Sequence, residues 1–312
     1  MALLRLITLL FIALGLFRCA REVIIDLPDE EPRVVAICHF TEGQHFRANI
    51  SMSQAVNEGQ DPEQPSNVEA TLSINGAYYD VLYRVKGDGN DYYWRSHQAK
   101  LAEPGIEYAL SVRVPGYTSV MAKSSIPQHY SLSPIVLHSE ELYVETRNDG
   151  SKELRIPLEL QLQNLPENER YFAFYLTHDT DVYDDSVVPA EFDHSEEQKP
   201  TNFLADGRTI SLLHNIPEPV VLINENYWAD NRKTLYLTAR IPFNPSTDRV
   251  TKLYVTWRTL SPEFYKYHLS LSRQSGNIPL SDPDAVYNNM EGGLGNFSGY
   301  SVSVDTIDIP EF

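Results

Sequence analysis

The chain has 312 residues, 42% of them hydrophobic, with 43 acidic against 25 basic side chains and a formal net charge of −18. That length and composition suit a globular protein of two ordinary domains, and the negative charge argues against nucleic acid and against electrostatic adhesion to anionic lipid. With only 2 cysteines, a disulfide scaffold is excluded.

Residues 1–18 read as a signal peptide, because Arg5 is followed by an apolar run of h-region length from Leu6 to Phe17. A membrane-spanning helix needs roughly 20 apolar residues, and Arg18 closes this run well before that. Cys19 stands directly after it, where bacterial lipoprotein processing exposes an N-terminal cysteine, so Cys19 is the candidate lipidation site and membrane anchor. The residues before it, Leu16, Phe17 and Arg18, depart from the usual lipobox. The alternative is an ordinary cysteine beside a non-lipid cleavage site, free to pair with Cys38. Several acyl chains, at about 0.8 kcal/mol per buried CH₂, make a stable anchor. Loss of residues 1–18 removes Arg5 and Arg18 and no acid, which takes the net charge from −18 to −20.

Residues 19–32 carry Asp26, Asp29, Glu30 and Glu31 with Pro28 and Pro32, too polar a segment to bury much surface. This is an acidic tether. Short β-branched and aromatic runs follow at 34–40, 46–52, 68–74, 78–85, 108–114 and 117–126. In 108–114 every second residue is apolar, the period of a half-buried strand. Asn75-Gly76 lies between two such runs and predicts a type I′ hairpin turn, in which both central residues take positive φ. Residues 33–127 are therefore expected to form a β-sandwich of immunoglobulin-like or transthyretin-like size. Cys38 sits in an apolar run and reads as a buried core thiol.

Prolines interrupt the pattern between 126 and 134, and residues 128–312 are expected to form a second β-domain, with runs at 141–146, 154–162, 171–177, 209–213, 234–241 and 252–260. Ser261-Pro262-Glu263 supplies a hydroxyl cap, a proline at the first helical position and an acid in the first turn. Phe264, Tyr267, His268 and Leu271 recur at helical spacing, giving one amphipathic helix at about 261–275 that ends at Gly276. The predicted fold class is all-β, two β-sandwich domains with a single helix in the second. A Gly-rich loop at 291–299 and a strand from 300 to 309 close the chain. Gly292, Gly293, Gly295 and Gly299 miss the spacing of a dinucleotide loop. A structural turn is the preferred reading over a ligand contact.

Two segments carry a resemblance. Glu263-Phe264-Tyr265-Lys266-Tyr267-His268, followed by Asn288-Asn289-Met290-Glu291-Gly292-Gly293-Leu294-Gly295-Asn296-Phe297-Ser298-Gly299-Tyr300-Ser301, resembles the closing pattern of the domain of unknown function 4249 family of Bacteroidetes lipoproteins. Cys19, Glu22, Ile25, Asp26 and Leu27, ahead of the tether and the strand at 33–40, agree with the family's front end. The resemblance implies an outer-membrane lipoprotein often encoded beside a TonB-dependent receptor. It implies no assigned reaction, and it supplies no catalytic residues.

The residues themselves add little chemistry. Nine histidines occur without a His-Glu-x-x-His pair, and the sequence has no Cys/His zinc spacing and no Gly-x-Ser-x-Gly elbow, so no catalytic site, metal site or cofactor is expected. The densest acidic patch, His178 to Asp185 and on to Glu197, fails the spacing of a calcium loop and reads as a solvated loop. Trp94, in Tyr92-Tyr93-Trp94, and Tyr227-Trp228, in a polar stretch, are the candidate ligand or partner contacts. For Trp94 the competing reading is a strand that sends alternate rings into the core. The expected function is a non-enzymatic envelope lipoprotein, an accessory to TonB-dependent uptake. A structural or adhesive surface protein is the alternative, and a hydrolase comes third.

Overall fold

The computed structural model describes residues 31–54, 62–87, 91–97, 101–130, 135–161, 171–183, 192–194, 199–205, 211–213, 220–223, 234–274 and 285–310, with backbone only between 180 and 220. Cys19, Tyr227, Trp228, Gly276, the signal peptide and all but the end of the tether lie outside these residues. Residues 32–54 and 59–312 belong to one unit, which is the unit described below.

Its first half holds β1 (Val34–Thr41), β2 (Arg47–Met52), β3 (Glu69–Ile74), β4 (Ala77–Lys86), β5 (Tyr92–Arg95), β6 (Glu107–Arg113) and β7 (Val120–Ser125). The second half holds β8 (Ile135–Leu137), β9 (Tyr143–Thr146), β10 (Lys152–Gln161), β11 (Phe172–Tyr183), β12 (Phe192–His194), β13 (Lys199–Ala205), β14 (Ser211–Leu213), β15 (Val220–Ile223), β16 (Thr234–Pro242) and β17 (Asp248–Leu260). Helix α1 (Pro262–Gln274) and β18 (Leu294–Asp308) complete the order. The protein is all-β with a single α-helix among the described residues.

Period-2 alternation decides which residues enter the first core. Along β1, Val34, Ala36, Cys38 and Phe40 are buried and the residues between them are not; β6 does the same with Tyr108, Leu110 and Val112. These side chains fill the space between a sheet ordered β4–β5–β2–β1–β18 and a sheet ordered β4–β3–β6–β7, with β4 contributing to both. The β3–β4 hairpin turns on Asn75 and Gly76 at φ 50° and 78°, the two positive angles that the sequence predicts.

The second core lies between β10, β16 and the β11–β17–β18 face and is centred on Phe172, Phe174, Trp257, Leu158 and Leu237. Here the acidic patch differs from expectation. Its first residues, His178 to Tyr183, continue β11 and pair with β17 as far as Val182 opposite Asp248, because β17 is long enough to carry the ladder past a bulge at Asp179.

β18 serves both halves. Its first part, Leu294 to Tyr300, runs parallel to β1, and its second part, Tyr300 to Asp308, runs antiparallel to β17. Met290 and Phe297, from the far end of the chain, are thus members of the first core. The strand also begins six residues earlier than the sequence suggests, at Leu294, inside the predicted Gly-rich loop. The ladder supplied by β1 holds Gly295, at φ +124°, and Gly299 within the strand, and backbone carbonyls occupy the space their side chains would need. A Cβ on Gly295 would strike Ala36 O, and one on Gly299 would strike Ser125 O and lie 2.9 Å from Ile126 N. The glycines are packing residues of the fold, with Gly295 and Gly299 inside β18 and not in the structural turn that the sequence suggests.

Candidate functional site

The two segments that carry the family resemblance meet β1 at one buried polar cluster. His39 from β1 donates through Nε2 to Asn296 Oδ1 at 3.1 Å, and Ser298 Oγ donates to the same oxygen at 2.5 Å. Asn296 Nδ2 reaches Glu263 O of α1 at 3.3 Å, and Asn289 brackets the Phe297 backbone with both ends of its amide, at 2.8 and 3.0 Å. Helix α1 covers the cluster because Ser261 Oγ caps it, accepting from Phe264 N at 3.3 Å, and so aims Phe264, Tyr267 and His268 at β1. His39 lies 4.8 Å from the Phe264 ring and 5.0 Å from the His268 ring. Burial lowers His39 to about 4 and His268 to about 3, with the Arg258 charge adding to both. Both rings are neutral at physiological pH. Ser298 bonds to Asn296 and not to a histidine, and Asn296 and Ser298 are fully buried, so this cluster clamps α1 onto β1 and β18.

The open surface lies next to it, on the outer face of β1, β2, β5 and β4. The registers Cys38–Ala48, Arg47–Arg95 and Tyr83–Arg95 place His39, Arg47, Arg95 and Tyr83 in one row across four strands. The next row contains Ile37, Asn49, Tyr93 and Val85. Two adjoining hollows of about 760 and 550 Å³ open along these rows and share Arg47, Asn49 and Tyr93. The larger extends to Gln64, Arg84, Asp91 and Tyr92, and the smaller to His39, Gln44, His45 and Arg95.

The floor of this groove is held from below and from the sides. Gln64 pairs its amide with the Tyr92 backbone, at 3.1 and 3.0 Å, where β2 and β5 part after Ala48. Buried Asp80 accepts from the His97 backbone N–H and from Nδ1, both at 2.8 Å, and so fixes the chain just past Arg95. The arginines lie on rings: Arg47 is 4.0 Å above the Tyr93 centroid, Arg84 is 3.8 Å above Tyr92, and Arg95 donates to Tyr83 Oη at 3.1 and 2.7 Å. What the arrangement offers chemically is a row of fixed cationic donors beside amide groups and tyrosine edges.

The sequence-predicted contacts fall differently. Trp94 is only 1% exposed and packs in the first core, because the alternation along β5 that turns Tyr93 outward turns Trp94 inward. Tyr227 and Trp228 lie outside the described residues. The arginine pair was missed, because Arg47 and Arg95 are far apart in sequence and each looks like an ordinary outward strand residue; Arg84, opposite Trp94, reaches the larger hollow where β2 and β5 part. Alternation around Tyr93 with an arginine two positions on was the available signal. Among the described residues, His138, Glu140 and Glu141 bring ligand-type atoms within 4.8 Å of one another, but they are surface groups on a short turn.

The profile of "Domain of unknown function (DUF4249)" matches residues 20–306. The chain belongs to the DUF4249 family. The DUF4249 match spans all the described residues of the buried cluster. No curated protein matches the chain. Among solved structures, the chain is similar to a DUF4785 family protein from Legionella pneumophila subsp. pneumophila str. Philadelphia 1, at 12% identity over 75% of this chain and 53% of that one, with a TM-score of 0.20. This chain therefore spans about half of the Legionella protein. It is also similar to a B domain of a biofilm associated protein, at 7% identity over 87% and 85% of the two chains, with a TM-score of 0.18. Likeness at that level carries no argument. No described helix is long and apolar enough to cross a membrane.

Proposed function

We propose that this protein is a non-enzymatic lipoprotein of the outer membrane, anchored through Cys19, that binds a ligand or docks a receptor in the service of a TonB-dependent uptake system. The observation that carries the binding role is the groove over β1, β2, β5 and β4, where polar and cationic side chains converge on a face left open between α1 and the β4 edge. Binding residues presented from a rigid sheet lose little freedom on engagement. The anchor is supported by the position of Cys19 after the apolar run and by membership of the family.

Two measurements test the proposal. Fatty-acid labelling is expected in the wild type and absent in Cys19→Ala; equal labelling in both sinks the anchor. A pull-down from solubilised outer membranes is expected to recover a TonB-dependent receptor, and deletion of the gene is expected to slow uptake. Normal uptake together with no recovered receptor would overturn the uptake role.

A further inference from the structure

We infer that the groove over β1, β2, β5 and β4 is a binding site for an oxyanion-bearing small ligand, carboxylate or phosphate, held between Arg47 and Arg95 with Arg84 at its far end. The inference rests on the groove being the binding site and adds the class of its ligand.

Strand register supplies the first argument. Ser96 N donates to Phe46 O at 3.0 Å, so the Phe46–Ser96 and Ala48–Trp94 pairs are the hydrogen-bonded ones and Arg47–Arg95 between them is a non-hydrogen-bonded pair. Directly opposite residues in such a pair have Cα atoms only about 4.5 Å apart. Like charges directly opposite each other destabilise a sheet. Two guanidinium groups in this position favour an anion between them, and among the described residues no side chain supplies it. Among the described residues no carboxylate forms an ion pair with Arg47, Arg84 or Arg95: Asp91 lines the larger hollow without pairing with any of them, and Asp80 is taken up by His97.

The contrast with the rest of the chain is the second argument. In a protein with 43 acidic residues, Arg113 pairs with Glu69, Arg147 and Arg240 pair with Glu153, and Arg155 pairs with both Glu145 and Glu153. The groove arginines instead rest on Tyr93, Tyr92 and Tyr83. Arg47, stacked on Tyr93, keeps its in-plane N–H donors free, the geometry that accepts a carboxylate or phosphate in bidentate fashion, while Arg95 spends Nε and one terminal nitrogen on Tyr83 Oη and offers its other terminal nitrogen. Asn49 and Gln44, which also line the groove, provide neutral donors for the remaining oxygens. The excess negative charge elsewhere repels anions from the general surface, so an anion found here is selected by the site.

The test is calorimetry and thermal unfolding of the purified full-length chain with inorganic phosphate and, separately, with citrate, each against sodium chloride at matched ionic strength. At least one anion is expected to raise Tm beyond its salt control, and which one does so distinguishes phosphate from carboxylate. Arg47→Gln and Arg95→Gln are each expected to weaken that anion by at least about tenfold. They are also expected to leave the Tm of the unliganded protein unchanged or higher, since each relieves a like-charge pair. Lys123→Gln, on a distant surface strand, is expected to bind as the wild type does. The inference is overturned if neither anion acts beyond salt, if Lys123→Gln loses binding equally, or if both arginine variants lower the unliganded Tm, which would make the ring contacts structural. Receptor recovery without anion binding would sink the ligand class alone, and anion binding without a receptor would sink the uptake role alone.

Discussion

Acidification should loosen the clamp between α1 and the β1–β18 pair, and one substitution should remove about half of the effect. Burial lowers His39 to about 4 and His268 to about 3, so both rings stay neutral in the fold while unfolded histidine takes up a proton near pH 6.5. A folded pKa below the unfolded one means a contribution that is complete above about pH 6.5 and lost as pH falls towards 4 and then 3. Between about pH 7.5 and pH 5 the loss is about 2 kcal/mol per histidine. His268→Phe keeps a ring against Phe264, Tyr267 and His39 and deletes an Nε2 that has no hydrogen-bond partner. The variant should therefore be more stable than wild type at neutral pH by about 1 kcal/mol. Its loss of stability on acidification, measured by urea unfolding at the two pH values, should be smaller than the wild-type loss by about 2 kcal/mol. Carboxylate titration and the easing of net negative charge act on both proteins and cancel in the difference. Equal losses in variant and wild type would refute the assignment of acid sensitivity to this pair.

Three further outcomes follow from the packing. Gly299→Ala, whose Cβ would strike Ser125 O, should cost more than about 3 kcal/mol in urea or abolish soluble expression, whereas Gly43→Ala, with nothing within 4 Å but φ at +70°, should cost only about 1 kcal/mol. Glu153, which is 6% exposed, receives Arg147, Arg155 and Arg240, so Glu153→Gln should destabilise by about 3 kcal/mol in chemical denaturation; a change under half that would place the network's worth at the surface level. Burial pushes the Cys38 thiol up to about 12, so Ellman's reagent should leave it unmodified in native protein and label it in urea; rapid native labelling would contradict the buried β1 face.

Much of the fold could be read locally. The alternation in β1 and β6, the Asn75-Gly76 turn and the Ser261-Pro262 start of α1 each depend on near neighbours, and each is found where those neighbours require it. The start of β18 was not legible, because four glycines in eight residues have the local preferences of a loop and only the parallel partner β1 makes them a strand. The end of the acidic patch in β11 was hidden for the same reason, since its ladder comes from β17. Trp94 shows the limit of alternation as a guide to exposure: the period is visible in Tyr92-Tyr93-Trp94-Arg95, but which phase faces the core depends on the sheet beneath it.

The sequence by itself determined the strand content, the capped helix α1 and the family, because these rest on periodicity, turn chemistry and contiguous motifs. The tertiary structure alone decided that β18 joins both halves, that the motif residues form a buried clamp, and that Arg47 and Arg95 from two strands share one open face without an ion-pair partner. Strand order and register bring residues 47 and 95 side by side, and pairing between strands so distant in the chain is a non-local property that no local pattern encodes.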